Sequence, residues 1–339
     1  MATGEEAVND IYWVVSRDCN QHCGHCYNDS KPDAPGLTLD EVTAVVANLP
    51  DPDRVPLGRI ALSGGEPLVW PELLFHTLGL LRDKYGKSDT LLAVQSNGDL
   101  LDGEMLDKLM SYGVHRMSIS SFDKYHLPQS MERRGYLEEL YKSRGFEVYE
   151  FTGKPGSGVA DPTRPHVSFW GATDDLWIGP LWPRGRAERN GLSKATHETR
   201  FCEHGSGAKN FLNYMAPECS VSVQLADLYP CCAMTCRPIG NLGRESLTDI
   251  IDRCATHPVF RALNEGRPER MGEYLGLTEE HGHARSQALG NHCLWCDEFF
   301  VQHAPELLEQ KAVTARDGYE LTIRGRRIAR KQREATAVG

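Results

Sequence analysis

The sequence predicts an α/β protein built on a parallel sheet with helices outside it. Apolar, strand-like runs alternate with helix-like segments through the first half of the chain, and this alternation is typical of parallel sheets with helical connections. The motifs that carry chemistry come directly after predicted strands, which is where ligands bind in such sheets. A chain of 339 residues has room for one large core and a smaller second module.

The predicted elements follow one another in a regular order. Strands are expected at 11–15, 59–62, 91–95, 116–120 and 146–151, with a sixth beginning at 177–178, and helices at 39–49, 71–85, 102–112 and 135–144. Thr38 is placed to cap the first helix and Pro50 to end it, and Pro71 suits the first turn of the second helix. Segment 153–164 is rich in glycine and proline and is predicted to be a loop.

Composition and charge narrow the class of protein. Forty per cent hydrophobic and 25% charged residues are ordinary for a globular protein, and no apolar run approaches the ~18 residues of a membrane span. The acidic N-terminus lacks the basic start of a signal peptide, so we expect a cytoplasmic protein without a membrane partner. A net charge of −10 argues against nucleic acid. In a reducing cytosol, 11 cysteines suggest metal ligands or reactive thiols.

Three cysteines follow the first predicted strand at the spacing of a metal-binding loop. Cys19, Cys23 and Cys26 are separated by three and then two residues, and three thiolates can ligate three corners of a [4Fe–4S] cube. A fourth cysteine would close the cluster, whereas three leave one iron open for an exchangeable ligand. The alternative is a zinc site whose fourth ligand is His22 or His25.

A second motif, Gly64-Gly65-Glu66-Pro67, follows the second predicted strand. Glycines suit a turn that a ligand must approach closely. In this order, the three-cysteine run and the Gly-Gly-Glu-Pro turn resemble the radical S-adenosylmethionine (radical SAM) superfamily. The resemblance implies a partial (β/α)6 barrel in which SAM chelates the open iron, and the turn with Glu66 contacts the amino group of SAM. It also implies a flavodoxin- or ferredoxin-type electron donor.

The resemblance extends to further positions for binding SAM. Asn97 and Ser120 follow the third and fourth strands, where the family places polar contacts to SAM, and Asp123 is a further candidate. Each can equally be a turn residue after a strand. Tyr27 is a candidate for stacking on the adenine, with core packing as the alternative. The run 185–187, Gly-Arg-Ala, resembles an element expected to contact the adenine.

Eight cysteines lie beyond residue 200, namely Cys202, Cys219, Cys231, Cys232, Cys236, Cys254, Cys293 and Cys296. Their order around a predicted hairpin resembles the SPASM/twitch auxiliary-cluster domains, and the one-cluster twitch form fits better. The resemblance implies a second [4Fe–4S] cluster held by Cys231, Cys293, Cys296 and one earlier cysteine, either Cys202, which we favour, or Cys219. The expected domains are a barrel over 1–190, a cluster domain over 191–305 and a tail over 306–339.

Three reactions are compatible with a radical SAM barrel and an auxiliary cluster. We favour epimerisation of a small polar natural product, similar to an aminoglycoside, in which a cysteine thiol returns the hydrogen atom. If Cys202 is the ligand, Cys219 is the leading donor, followed by Cys232, Cys236 and Cys254. The alternatives are dehydrogenation of a secondary alcohol, with the auxiliary cluster accepting the electron, and maturation of a ribosomal peptide. Peptide-modifying relatives often carry a leader-binding domain before the barrel, and with a first strand near residue 11 we expect none here. A non-catalytic cluster protein is disfavoured by the intact Gly-Gly-Glu-Pro turn.

Overall fold

The computed structural model describes residues 10–120, 126, 131–150, 164–170, 181–203, 207–215, 219–234 and 237–307. The strands are β1 (Asp10–Ser16), β2 (Arg59–Gly64), β3 (Leu91–Ser96), β4 (Val114–Ile119), β5 (Glu147–Glu150), β6 (His166–Phe169), β7 (Ser220–Gln224), β8 (Asp227–Tyr229) and β9 (Gly240–Asn241). The helices are α1 (Leu39–Asn48), α2 (Pro71–Tyr85), α3 (Gly103–Ser111), α4 (Met131–Ser143), α5 (Gly185–Arg189), α6 (Leu247–Ala255), α7 (Pro258–Asn264), α8 (Glu279–Leu289) and α9 (His292–Gln302).

The described strands form one sheet in the order β5-β6-β4-β3-β2-β1-β7-β8-β9. The pairs from β5 to β7 are parallel, while β8 and β9 are antiparallel to their neighbours. The two ends of this order are different strands, so the barrel is not closed within the described residues. The predicted class, an α/β fold with a partial parallel barrel, is confirmed.

Alternating side chains give the sheet two different faces. One face contributes Ile11, Trp13, Ile60 and Leu62 to an apolar core that also contains Leu74 of α2. The opposite face carries polar side chains from several strands, and we call it the polar face; its residues include Tyr12, Ser63, Ser118, Ser168, Ser222 and Gln224. Helices therefore cover one side of the sheet, and polar groups project from the other.

The helix signals predicted from sequence are confirmed. Thr38 caps α1 in a reciprocal capping box with Glu41, which satisfies backbone donors at the helix start. Pro71 occupies the first turn of α2, where its missing N–H costs nothing. No helix among the described residues is both long and apolar enough to cross a membrane.

One part of the predicted strand order was wrong. The sequence analysis did not predict β6, which lies between β4 and β5 in the sheet and makes β5 the edge strand. The four-residue run His166–Phe169 is too short to give a periodic signal. The sixth strand predicted at 177–178 lies outside the described residues. In addition, β7 pairs with β1 in parallel, so one sheet continues past the predicted boundary at residue 190.

Candidate functional site

The first three cysteines lie on the loop between β1 and α1, at the carboxyl end of the sheet. Cys19 is buried, and Cys23 and Cys26 are half-buried. The backbone N–H of Cys26 donates to the Cys23 carbonyl at 3.3 Å, and that of Gln21 donates to the Cys19 sulfur at 3.4 Å. Burial, with added repulsion from Glu66, Cys23 and Cys26, raises the pKa of Cys19 to about 12.

This donor set suits an iron–sulfur cluster. Cys23 and Cys26 both act electrostatically on Cys19, and a bound cation would compensate the repulsion between the three thiolates that bind it. The loop contains no fourth cysteine, so a cluster held by Cys19, Cys23 and Cys26 keeps one iron without a protein thiol. The ring of His25, a possible zinc ligand, packs edge-on against His126 with centroids 4.5 Å apart.

The glycines of the turn after β2 are required by the cysteine loop itself. A Cβ on Gly65 would lie 2.1 Å from the carbonyl oxygen of Asp18, and one on Gly64 would lie 2.6 Å from that of Ser16. The backbone N–H of Gly65 donates to Ser16 at 2.8 Å, and that of Glu66 donates to Asp18 at 2.8 Å. Because no side chain fits between these backbones, the two glycines let the turn lie directly against the cysteine loop.

Glu66 is buried at the junction of β2 and β3. One carboxylate oxygen accepts from the Leu68 N–H at 3.0 Å and the Ser96 hydroxyl at 2.9 Å, and the other accepts from the Asn97 N–H at 2.6 Å. A carboxylate offers about four lone-pair sites, so one site on the second oxygen is still available. Burial is the largest influence on this group and raises the pKa of Glu66 to about 7.

This raised pKa predicts a pH dependence of stability. A carboxyl with a pKa of about 7 in the folded protein and an ordinary value of 4.5 stabilises the fold fully below pH 4.5, and this contribution is lost as pH rises through 7. The loss is about 3 kcal/mol. Glu66→Gln cannot ionise, so its Tm should fall less steeply than that of the wild type between pH 5 and 8. The exposed Glu72→Gln is the matched control and should keep the wild-type slope; equal slopes for Glu66→Gln and the wild type would contradict the assignment.

Asn97 connects the end of β3 to the cysteine loop. Its side-chain amide donates to the Asn20 oxygen at 2.8 Å and accepts from the Asp99 N–H at 3.0 Å. The Asp99 carboxylate in turn accepts from Asn20 at 3.0 Å and from Gln21 at 2.6 Å. Ser120 is half-buried, and its N–H donates to the Ser96 carbonyl at 3.1 Å. Both predicted SAM contacts therefore lie at the same end of the sheet as the cysteine loop. Asp123 lies outside the described residues.

Tyr27 joins a row of hydroxyl groups next to this loop. Its hydroxyl lies 3.5 Å from that of Tyr12, which is 2.6 Å from the Ser63 hydroxyl. The Tyr27 ring meets Trp182 edge-on with centroids 4.6 Å apart. Burial raises the pKa of Tyr12 to about 12 and that of Tyr27 well above its ordinary value, so both phenols are protonated at neutral pH.

The segment 184–186 packs against the cysteine loop. Arg186 donates to the carbonyl oxygens of Cys23 at 2.7 Å and Ser30 at 2.6 Å, and its backbone N–H donates to Cys26. Gly185 has φ +56°, and a Cβ there would lie 2.4 Å from the Tyr27 carbonyl oxygen, so glycine is required on both counts. Sequence analysis predicted an adenine contact here, and the arginine side chains were not assigned a role.

The second cysteine group contains Cys202, Cys231, Cys293 and Cys296. Cys293 and Cys296 are one turn apart on α9, and the other three thiols all act electrostatically on Cys296. Burial raises the pKa of Cys231 to about 11 and that of Cys293 to about 12, and raises those of Cys202 and Cys296 well above their ordinary value. Cys202, Cys293 and Cys296 are buried and Cys231 is half-buried, and four thiols this close to one another are a donor set that could close a cluster entirely with protein ligands.

Cys219 lies elsewhere. It immediately precedes β7, its carbonyl accepts from the Asp10 N–H at 2.8 Å, and its thiol faces the Phe211 carbonyl at 3.7 Å. This is the amino end of β1, whereas Cys19 follows the carboxyl end, and a seven-residue strand is roughly 20 Å long. Cys219 thus lies about one strand length from the cysteine loop, which argues against the predicted role of its thiol as hydrogen-atom donor to a substrate bound at that loop.

Cys232 is the cysteine whose position the sequence analysis undervalued. It is 4% exposed and acts electrostatically on both Tyr12 and Tyr27, so its thiol lies on the same side of the sheet as these two phenol groups. Cys254, by contrast, lies in the apolar core on α6, and Cys236 is outside the described residues. The available sequence signal was the adjacent pair Cys231-Cys232, of which the resemblance assigned only Cys231 to a cluster.

Comparison with known proteins places the amino-terminal part in a family. Residues 13–143 match the family model of the Radical SAM superfamily. An AdoMet-dependent heme synthase of Methanosarcina barkeri is 34% identical over 115 residues, which cover 32% of this chain and 30% of that protein. A pre-heme d1 synthase of Dinoroseobacter shibae is 33% identical over 113 residues, covering 32% and 26% respectively. The chain thus matches less than a third of the length of these curated relatives.

Among solved structures, a crystal structure of BtrN in complex with AdoMet and 2-DOIA is similar to this chain. It is 16% identical, covers 78% of this chain and 89% of its own, and has a TM-score of 0.49. A likeness of this degree says nothing about the reaction. The family match confirms the predicted superfamily, and the predicted SAM and [4Fe–4S] cofactors agree with that family and with the two cysteine groups.

Proposed function

Because residues 13–143 form a radical SAM domain, we propose that the chain is a radical SAM epimerase acting on a small polar molecule of the aminoglycoside type. The observation that carries this proposal is the buried thiol of Cys232 beside Tyr12 and Tyr27. This thiol is not one of the proposed ligands of either cluster, and it lies within electrostatic range of both phenol groups.

In this proposal Cys19, Cys23 and Cys26 hold the cluster that binds SAM. The remaining lone pair of Glu66 accepts from the amino group of SAM, and the other proposed SAM contacts are Tyr27, Gly64, Gly65, Pro67, Asn97 and Ser120. When bound, SAM and its cluster supply a 5′-deoxyadenosyl radical that removes a hydrogen atom from the substrate. The protein keeps these groups in register through Asn97 and Arg186, which bind the cysteine loop on two sides.

The second cysteine group is proposed to hold an auxiliary [4Fe–4S] cluster with Cys202, Cys231, Cys293 and Cys296 as ligands. Their burial and mutual proximity support this assignment. We further propose a barrel over 1–190, a cluster domain over 191–305 and a tail over 306–339. A flavodoxin- or ferredoxin-type protein is proposed as the source of electrons.

The polar face supports a substrate rich in hydrogen-bonding groups. Gln224 is 1% exposed, and its amide nitrogen donates to the Ser222 hydroxyl at 3.0 Å. Its carbonyl oxygen is buried without a donor, although a buried acceptor normally has one. This oxygen has no surface open to a substrate, so the support comes only from the polar character of the face as a whole, which favours a polyhydroxylated or aminated molecule over an apolar one.

Cys232 is proposed to return the hydrogen atom to the substrate from the face opposite to that of its removal. The S–H bond breaks homolytically, a C–H bond forms on the substrate carbon, and a thiyl radical is left on Cys232. One electron from the flavodoxin- or ferredoxin-type donor and one proton from solvent restore the thiol. Each turnover thus consumes one SAM and two electrons, one for SAM cleavage and one for the thiol.

The second candidate is a dehydrogenase, and the auxiliary cysteine group favours it. A substrate radical next to a hydroxyl group can lose a proton and one electron to become a ketone, and the auxiliary cluster would accept that electron. No peptide substrate is favoured by a specific contact of the described residues, so peptide maturation is the third choice.

Turnover in D2O distinguishes these reactions. The reconstituted enzyme is incubated anaerobically with SAM, dithionite and a panel of aminoglycosides and aminocyclitols, and products are analysed by mass spectrometry and NMR. An epimerase that uses the exchangeable proton of Cys232 gives a product heavier by one deuterium at the inverted carbon. A product two mass units lighter than its substrate and free of label would replace the epimerase with the dehydrogenase.

A further inference from the structure

We propose that Arg184, opposed by Asp297, sets the reduction potential of the auxiliary cluster. This inference rests on the proposed second cluster and assigns a role to two buried side chains that the reaction described above does not use. Both residues are positioning residues, since neither needs to touch the substrate or SAM.

Arg184 is embedded among the backbone groups that carry the auxiliary cysteines. It is 7% exposed and donates to the carbonyl oxygens of Ala233 at 2.9 Å, Met234 at 3.1 Å and Cys293 at 3.2 Å. The first two follow Cys231 closely, and the third belongs to a proposed ligand. One guanidinium thus joins the two chain segments that supply three of the four thiols.

Asp297 completes a buried ion pair at the same place. Its carboxylate lies 3.1 Å from Arg184, it is 3% exposed, and it directly follows Cys296 on α9. Both charges act on the same thiols, those of Cys231, Cys293 and Cys296. The two charges therefore affect the cluster in opposite directions from nearly the same position.

The physical consequence concerns the charge of the cluster. Reduction adds one negative charge to the cluster, and in a buried environment of low dielectric constant a fixed charge nearby is weakly screened. The guanidinium cannot be deprotonated in a protein, so Arg184 stabilises the reduced form, whereas Asp297 stabilises the oxidised form. Hydrogen bonding, burial and net charge are the terms by which a protein sets such potentials.

The test is a potentiometric titration followed by EPR spectroscopy at pH 8. The full-length protein carries Cys19→Ala, Cys23→Ala and Cys26→Ala, so that only the auxiliary cluster contributes to the signal. We expect Arg184→Met to move the midpoint potential to a more negative value and Asp297→Asn to a more positive one. Each should change the ratio of reduced to oxidised cluster at least tenfold at a given potential, which is 59 mV for one electron.

Three further proteins make the test specific. Arg184→Lys keeps the charge and should stay close to the parent, and the double variant Arg184→Met/Asp297→Asn should return towards it. Arg189→Met removes an arginine at the end of α5, the helix that begins directly after Arg184. Arg189 is 54% exposed and paired with Asp29, so this variant should leave the potential unchanged. If Arg184→Met fails to take up iron, Asp297→Asn and Arg184→Lys still carry the test.

Two outcomes would overturn the inference in different ways. Potentials that do not move, or that move in the same direction in both single variants, would show that the ion pair only holds the backbone in place. A parent protein that binds no iron would overturn the proposed second cluster itself, and the inference with it.

Discussion

Replacing Cys19, Cys23 and Cys26 together by alanine should lower the iron content from about eight to about four per chain and abolish SAM cleavage. The three thiols lie on one loop and act on one another, while the four auxiliary cysteines form a separate group. The auxiliary cluster should therefore still assemble in this variant and show charge-transfer absorbance. Iron analysis, visible absorbance and chromatography of 5′-deoxyadenosine measure these results on anaerobically reconstituted protein.

Matched cysteine variants control for a general loss of folding. Cys202→Ala should also lose about four irons, because its thiol belongs to the auxiliary group. Cys219→Ala and Cys254→Ala remove buried thiols outside both groups and should keep about eight. Loss of iron from Cys219→Ala, with full loading of Cys202→Ala, would show that the auxiliary ligand was assigned to the wrong cysteine.

Cys232→Ala should separate the start of the reaction from its end. The proposed donor acts after the substrate has lost its hydrogen atom, so its removal should leave 5′-deoxyadenosine formation within a few-fold of wild type while the inverted product disappears. The stranded radical, if it lies next to a hydroxyl group, would then lose one proton to solvent and one electron to an auxiliary cluster, and would leave as a ketone. Liquid chromatography with mass spectrometry follows both products in one assay.

A control variant and a contradicting result complete the test of Cys232. Cys254→Ala is the control, since its thiol lies in the apolar core, and it should form the inverted product at the wild-type rate. Full inverted product from Cys232→Ala would remove this thiol from the mechanism and favour the dehydrogenase. Cys232→Ala must keep the wild-type iron content for either result to be interpreted. The neighbouring Cys231 is a proposed ligand, so a disturbed cluster could otherwise explain a loss of product.

The local parts of the site were predictable from sequence. The cysteine spacing, the Gly-Gly-Glu-Pro turn and the strands before them are encoded over short stretches of chain, and the first five predicted strands are present. The choice of Cys202 over Cys219 rested on resemblance, and the structure brings Cys202 together with the other three thiols. The motifs and strands were predictable because each depends on neighbouring residues, whereas the choice of Cys202 as a ligand stays a prediction.

The positions of β7, Cys219 and Cys232 could not be predicted, because they depend on contacts between distant parts of the chain. Parallel pairing of β1 with β7 joins residues about 210 positions apart, and no sequence period encodes such a contact. That pairing places Cys219 at one end of the sheet. The chain then turns back along β8, which is antiparallel to β7, and the segment after β8 brings Cys232 within electrostatic range of Tyr12 and Tyr27.

The arginines of segment 184–186 illustrate the same limit. The sequence shows two arginines separated by one glycine, and the resemblance implied only an adenine contact for this segment. In the structure Arg184 reaches the auxiliary cysteines and Arg186 reaches the SAM-side loop, because Gly185 adopts a left-handed conformation and turns the two side chains apart. The sequence alone does not show this connection, because the two cysteine regions that the segment contacts are far from it along the chain.

The central claim is that this chain cleaves SAM reductively at a three-cysteine cluster. The most direct measurement is the anaerobic reaction of reconstituted wild-type protein with SAM and dithionite, with 5′-deoxyadenosine and methionine quantified over time. The account predicts about eight irons per chain and formation of both products in equal amounts. One equivalent of zinc, no charge-transfer absorbance and no 5′-deoxyadenosine would contradict it.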